Sequence, residues 1–220
     1  MTPRRPSLLF TSPHFHTKIY PQYFKKAGVS MSTDITFVRH AVYHSDPEEF
    51  SSRRYAHLSP AGKLDAAALA DSLSERNFST IYSSPYVRAL ETAENFRNFS
   101  SSPSMSGIIL VNELLEERDF GDLDGKVLPY DDYIRLWQTD SPDFSEQLGV
   151  ESLASLEARA EKFLQTVAET HIRENVIAFT HSGFILAVYS VLFGTPESKN
   201  LLSFPILNYC EHRTFTIKLC

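Results

Sequence analysis

From Asp34 onward, short runs of β-branched and aromatic residues alternate with longer stretches whose apolar positions recur every third or fourth residue, so strands and helices are predicted in turn. Ile35, Thr36, Phe37 and Val38 predict a first strand that ends on Arg39-His40-Ala41. After a polar loop, Ser59-Pro60 reads as an N-cap followed by proline at the first helical position, and Leu64, Ala68, Leu69 and Leu73 form the apolar stripe of that helix. Thr80-Ile81-Tyr82 predicts a second strand. Ser84-Pro85 repeats the start signal for a helix through Phe96 with Arg88 near its beginning. Residues 107–111 predict a third strand, 112–125 a turn-rich acidic segment and 130–137 a short helix. The strongest helical periodicity runs through Leu153, Leu156, Ala160, Phe163, Leu164 and Val167. Residues 176–180 predict a strand that delivers His181-Ser182-Gly183 to its end, with an apolar helix over 184–193 behind it and a final strand over 213–218. This alternation predicts a three-layer α/β/α sandwich around a mostly parallel sheet.

The first 33 residues differ in kind. They hold Arg4, Arg5, Lys18, Lys25 and Lys26 with no acid, and Pro3, Pro6, Pro13 and Pro21 interrupt them. They read as a basic, disordered tail in front of a domain spanning 34–220. Such a tail also has the composition of an organelle import signal, although its prolines prevent a clean amphipathic helix. Met31 stands next to the first strand, so a product starting there keeps the whole domain. With 42% hydrophobic residues, the chain has enough apolar material for one core.

A formal net charge of -6 gives no general attraction for nucleic acid or an anionic membrane. No apolar run approaches the roughly 20 residues of a spanning helix, so no membrane association is expected. Cys210 and Cys220 could close only a small terminal loop, and the sequons at Asn77 and Asn98 have no signal peptide beside them; a cytoplasmic setting is the simpler expectation. Nothing in the sequence reports oligomeric state.

An anionic substrate therefore needs a local cluster of cations. His40 and His181 each follow an apolar strand directly, and in open α/β sheets ligands bind beyond the carboxyl ends of the strands. Arg39 precedes the first histidine, Arg88 opens the helix after another strand, and the amides of Ser182 and Gly183 open a further helix. Together they predict a cationic cup for a tetrahedral dianion. His40 and His44 have the spacing of two helical metal ligands, but they follow a strand and lack the companion glutamate of a zinc hydrolase, so neither metal nor cofactor is expected.

These residues resemble the histidine phosphatase and phosphoglycerate mutase superfamily. Arg39-His40-Ala41 is similar to its Arg-His-Gly signature, residues 58–62 to its Leu-Ser-x-x-Gly helix start, and residues 83–93 to its Ser-Ser-Pro-x-x-Arg-Ala-x-x-Thr-Ala segment. Residues 115–125 resemble the stretch that carries the proton donor, Gly149-Val150-Glu151-Ser152 with Arg159 the Gly-Gly-Glu-Ser helix, and Thr180-His181-Ser182-Gly183 the second histidine motif. The resemblance covers residues 34–220. It implies a phosphoglycerate mutase-like fold, with His40 as nucleophile, Arg39, Arg88 and His181 on the phosphoryl oxygens, and Glu117 as general acid and base. Adjacent Glu116 competes for that last role, but the spacing to Phe120-Gly121 fits Glu117.

The implied function is hydrolysis of a small phosphorylated metabolite through a phosphohistidine. Mutase-type transfer is the alternative, and a span of only 64 positions from Glu117 to His181 favours hydrolysis because the mutases carry a longer insertion. A catalytically weak binding or scaffold protein is a further alternative. It is permitted by Ala41, where the family has glycine, and by Asp46, where a mutase-like pocket would have asparagine. Cap segments near 42–57, with Tyr43, His44, Arg53, Arg54, Tyr55 and His57, and near 126–149, with Tyr130, Tyr133, Trp137 and Phe144, are placed to cover the pocket.

Overall fold

The computed structural model describes residues 31–44, 54–100, 107–138 and 142–219. Five strands form one sheet: β1 (Met31–Arg39), β2 (Thr80–Ser83), β3 (Ile109–Val111), β4 (Asn175–Thr180) and β5 (His212–Leu219). Their order is β3-β2-β4-β1-β5, with β5 antiparallel to β1 and the other pairings parallel. The described helices are α1 (Pro60–Ser72), α2 (Val87–Phe99), α3 (Tyr130–Leu136), α4 (Pro142–Leu148), α5 (Leu153–Thr170) and α6 (Ser182–Phe193).

Strand β4 shows why both faces must be covered. Val176 and Ala178 enter one apolar cluster with Phe37, Phe163 and Phe184, whereas Ile177 and Phe179 enter another with Val38, Leu69 and Phe96. Two-residue alternation sends neighbours to opposite faces, so an unbroken apolar run fits only a sheet with helices on each side. Helices α1 and α2 cover one face; α5 and α6 cover the other. Full burial of each of these aromatic side chains contributes about 1.5–3 kcal/mol.

Three sequence expectations change. Strand β1 starts at Met31, which pairs with Leu219, so the fold begins a few residues before Asp34. On α1 the buried residues are Gly62, Ala66, Leu69 and Ala70, while Leu64 is 72% exposed and Ala68 is exposed as well. Gly62 sets that rotation: a Cβ there would lie 2.0 Å from the Val42 carbonyl oxygen, so the helix is pressed against the chain following β1 by its smallest residues. The strand expected over 107–111 is shorter: β3 spans Ile109–Val111 at the edge of the sheet, where Ile108, Leu110 and Val111 are exposed.

Candidate active site

Register brings the two histidines together. Arg39 pairs with Thr180 across parallel β1 and β4, so the next residue of each strand is a histidine at the same edge. The His40 amide donates to the Thr180 carbonyl at 2.9 Å, and the two imidazole centroids lie 5.1 Å apart. Strand β2 adds Ser84, whose amide donates to the Phe179 carbonyl at 2.9 Å.

Hydrogen bonding specifies the protonation of His40. Its Nδ1 faces the Ala41 carbonyl at 2.9 Å and must carry hydrogen, while Nε2 receives the Arg88 Nε–H at 3.0 Å and must offer its lone pair. Burial holds the His40 pKa well below the ordinary histidine value, with the Arg88 and Arg39 charges adding in the same direction. The ring is therefore a neutral base with a directed lone pair.

The free protein holds His181 neutral. Its ring is fully buried, and burial, then Arg88, His40, Arg159 and Arg39, drive its pKa well below the ordinary value. His181 Nε2 lies 2.8 Å from the Ser84 hydroxyl, and its Nδ1 has no hydrogen-bond partner among the described residues. The Ser84 oxygen already accepts the Tyr86 amide at 3.3 Å. Donation of its hydroxyl proton to Nε2 would leave hydrogen on Nδ1, an unspent buried donor beside His40. Ser84 is thus a site residue that sequence reading turned into a helix cap; α2 starts at Val87, with Tyr86 at its N-cap.

Arg39, Arg88, Ser182 and Gly183 line one cavity of about 310 Å³ together with His40 and Glu117. Arg88 is 1% exposed, its guanidinium lies over the rings of Tyr43 and Tyr86, and the Glu117 charge counteracts the downward effect of burial on its pKa. Arg39 stacks 4.2 Å from the Tyr209 ring centroid and donates through Nη1 to the Leu207 carbonyl at 2.7 Å. His181 takes the N-cap position of α6 without a side-chain capping bond, so the first amides of that helix open toward the cup.

Glu116 and Glu117 diverge. Glu116 pairs with Arg54, whereas Glu117 lines the cavity and accepts the Arg118 amide at 2.9 Å. A Cβ on Gly183 would approach Glu117 Oε1 to 2.3 Å, so the carboxylate sits directly over the start of α6. Arg159 holds the segment behind it. Its Nε and Nη2 bind the Glu151 carboxylate at 2.7 and 2.8 Å, and its two Nη groups reach the carbonyls of Leu114, Glu116 and Glu117 at 2.8, 2.6 and 3.0 Å. This bidentate pair turns one residue of α5 into a clasp for the acidic loop.

Ala41 fits where it stands: the positive-φ non-glycine residues described are Arg173, Lys199 and Cys210, and the Ala41 methyl packs with Leu58 and Ala66. Asp46 and Arg53 lie outside the described residues. Of the cap aromatics, Tyr43, Tyr133 and Trp137 line the cavity, whereas Tyr55 and Tyr130 are exposed and Phe144 packs against the core. Phe120, Leu186 and Ile206 also form its wall. Their sequence patterns read as core or loop and gave no sign of a site. Among the described residues, no helix is long and apolar enough to cross a membrane.

Residues 35–218 match the family described as the histidine phosphatase superfamily (branch 1). The chain is 29% identical over 204 residues to phosphoserine phosphatase 1 of Hydrogenobacter thermophilus, covering 84% of this chain and 90% of that protein. It is also 29% identical to phosphoglycerate mutase-like protein 4 of Arabidopsis thaliana, over 71% of this chain and 69% of the plant protein. A mycobacterial glucosyl-3-phosphoglycerate phosphatase shares the fold with a TM-score of 0.69 at 20% identity, over 84% of this chain and 90% of its own. Phosphoserine phosphatase of Entamoeba histolytica, solved with 3-phosphoglyceric acid, gives 0.67 at 22% identity, over 83% and 90%.

Proposed function

The chain belongs to the histidine phosphatase superfamily, and from that premise we propose that it hydrolyses phosphomonoesters of small metabolites through a phosphohistidine on His40. The observation that carries this reading is the neutral His40 with its Nε2 lone pair held at Arg88, beside His181 and within a cavity that also holds Glu117.

The bound phosphoryl group draws the Arg88 Nε–H onto one of its oxygens and frees the Nε2 lone pair. Nε2 then forms a bond to phosphorus as the ester P–O bond breaks. The imidazole becomes cationic, and the Ala41 carbonyl on Nδ1–H stabilises that charge. Charge on the equatorial oxygens meets Arg39, Arg88, the His181 Nδ1 donor and the first amides of α6. Glu117 donates a proton to the leaving alkoxide. It then takes a proton from the water that attacks phosphorus, the P–N bond breaks, and inorganic phosphate leaves with His40 neutral again. Guanidinium groups and helix amides supply the positive field, so the route requires no metal ion. The preference for hydrolysis over mutase-type transfer rests on the short span from Glu117 to His181.

Release of p-nitrophenol from p-nitrophenyl phosphate tests the reading with the parent chain and His40→Ala. Turnover in the parent that disappears in the variant is expected; equal rates would end the proposal.

A further inference from the structure

We propose that the cavity beyond the phosphate cup is a subsite for an uncharged aryl or alkyl leaving group, which disfavours esters that carry a carboxylate beside the phosphate. This inference rests on the hydrolase reading for its place in a reaction, though not for the binding preference itself.

The charged or titratable groups needed for chemistry account for Arg39, His40, Arg88 and Glu117 in the lining. With Ser182 and Gly183 at the amide end of α6 and Tyr43 against Arg88, the rest of the lining is Phe120, Tyr133, Trp137, Leu186 and Ile206. Phe120 and Trp137 meet nearly edge to face, with centroids 6.1 Å apart, and Tyr133 approaches Trp137 at 6.5 Å. Leu186 lies one turn beyond Gly183 on α6, so the same helix offers its amide end to phosphate and its apolar flank to the group being released. Ile206, about half exposed, stands at the mouth.

A carboxylate placed there would lose water without gaining a forked donor. Neither lysine nor an arginine beyond the two of the cup is found among the described lining residues. Arg39 already has Nη1 on the Leu207 carbonyl and its face on Tyr209. An aryl or alkyl group meets the opposite situation: it covers aromatic and aliphatic surface and leaves no charge unpaired. The volume of about 310 Å³ accommodates a small group of this kind and lies near the lower end of small-molecule pockets.

Trp137 is the chain's single tryptophan and lines this space, so its fluorescence reports occupancy without turnover. The test titrates the full chain with phenylphosphonate and with 3-phosphonopropanoate, neither of which carries a hydrolysable ester. Phenylphosphonate is expected to bind at least about tenfold more tightly. In Ile206→Lys, a cation at the mouth is expected to narrow or reverse that ratio. Equal or tighter binding of 3-phosphonopropanoate by the parent chain, or no response to either ligand, overturns the subsite. A parallel release assay with phenyl phosphate and phosphoserine separates the two readings. If neither ester is hydrolysed while the binding order holds, hydrolysis fails and the subsite stands; faster hydrolysis of phosphoserine counts against the subsite alone.

Discussion

Replacing Gly183 by alanine is a controlled way to move the proposed acid without removing it. The added methyl would lie 2.3 Å from Glu117 Oε1 and 2.7 Å from the edge of the Trp137 ring, whereas ordinary contact begins near 3.4 Å. Oε1 must therefore retreat by about 1 Å, or the ring must shift with it. Both are side-chain atoms, and Gly183 is not among the positive-φ glycines, so the backbone of α6 can stay in place. A displacement of about 1 Å in a positioned catalytic group can cost on the order of 100-fold in rate. Stability should fall by at most about 2.5 kcal/mol, because the helical advantage of alanine over glycine, about 0.5–1 kcal/mol, offsets part of a crowding cost of about 1–3 kcal/mol. The assay compares kcat for an alkyl phosphate with the urea midpoint of the same preparation. A fall of about 100-fold in kcat, measured where the variant remains fully folded by its own urea midpoint, is expected; wild-type kcat would refute the placement of Glu117 as proton donor.

Glu117→Gln should slow alkyl esters by about 10²–10³ and phenyl esters by less, since a good leaving group needs less protonation; similar losses in steady-state rates on both would remove Glu117 from that role. Arg159→Lys should loosen the acidic loop, lowering the denaturation midpoint by about 1–3 kcal/mol of stability and also lowering kcat; unchanged values for both would show that the clasp is dispensable. His40 and His181 both have lowered pKa values in the folded protein, so below about pH 6.5 the unfolded chain binds protons that the folded one refuses. Each should cost up to about 1.4 kcal/mol of stability per pH unit from there down to its folded pKa. Urea unfolding between pH 8 and 5 should show that loss, with a shallower slope in His40→Asn; an identical slope would contradict the buried neutral imidazole.

The strands that carry the histidines were legible because β4 is covered on both faces and reads as a continuous apolar run, and β1 as a run of β-branched and aromatic residues over 35–38. The sequence could also identify Ser59 as a cap, and the hydroxyl does accept the Gly62 amide at 3.0 Å. The same pattern at Ser84-Pro85 misled, because local signals cannot reveal that the Ser84 hydroxyl is claimed by a histidine 97 positions away. The rotation of α1 was hidden for a similar reason: Gly62 meets the Val42 carbonyl only in three dimensions, and this contact outweighs the apolar stripe through Leu64. Glu116 and Glu117 could be ranked only by resemblance, whereas Arg54 and Gly183 distinguish their surroundings in space. Leu186 and Ile206 belong to an apolar helix and a loop, and neither setting announces a ligand.

The most direct measurement is rapid quenching of the parent chain during turnover of phenyl phosphate, followed by mass spectrometry of its peptides under alkaline conditions that preserve phosphoramidate bonds. A phosphoryl group on His40, formed and lost at rates compatible with turnover and absent in His40→Ala, is the predicted result. Steady hydrolysis with His40 unlabelled, or with the label on another residue, would contradict the account.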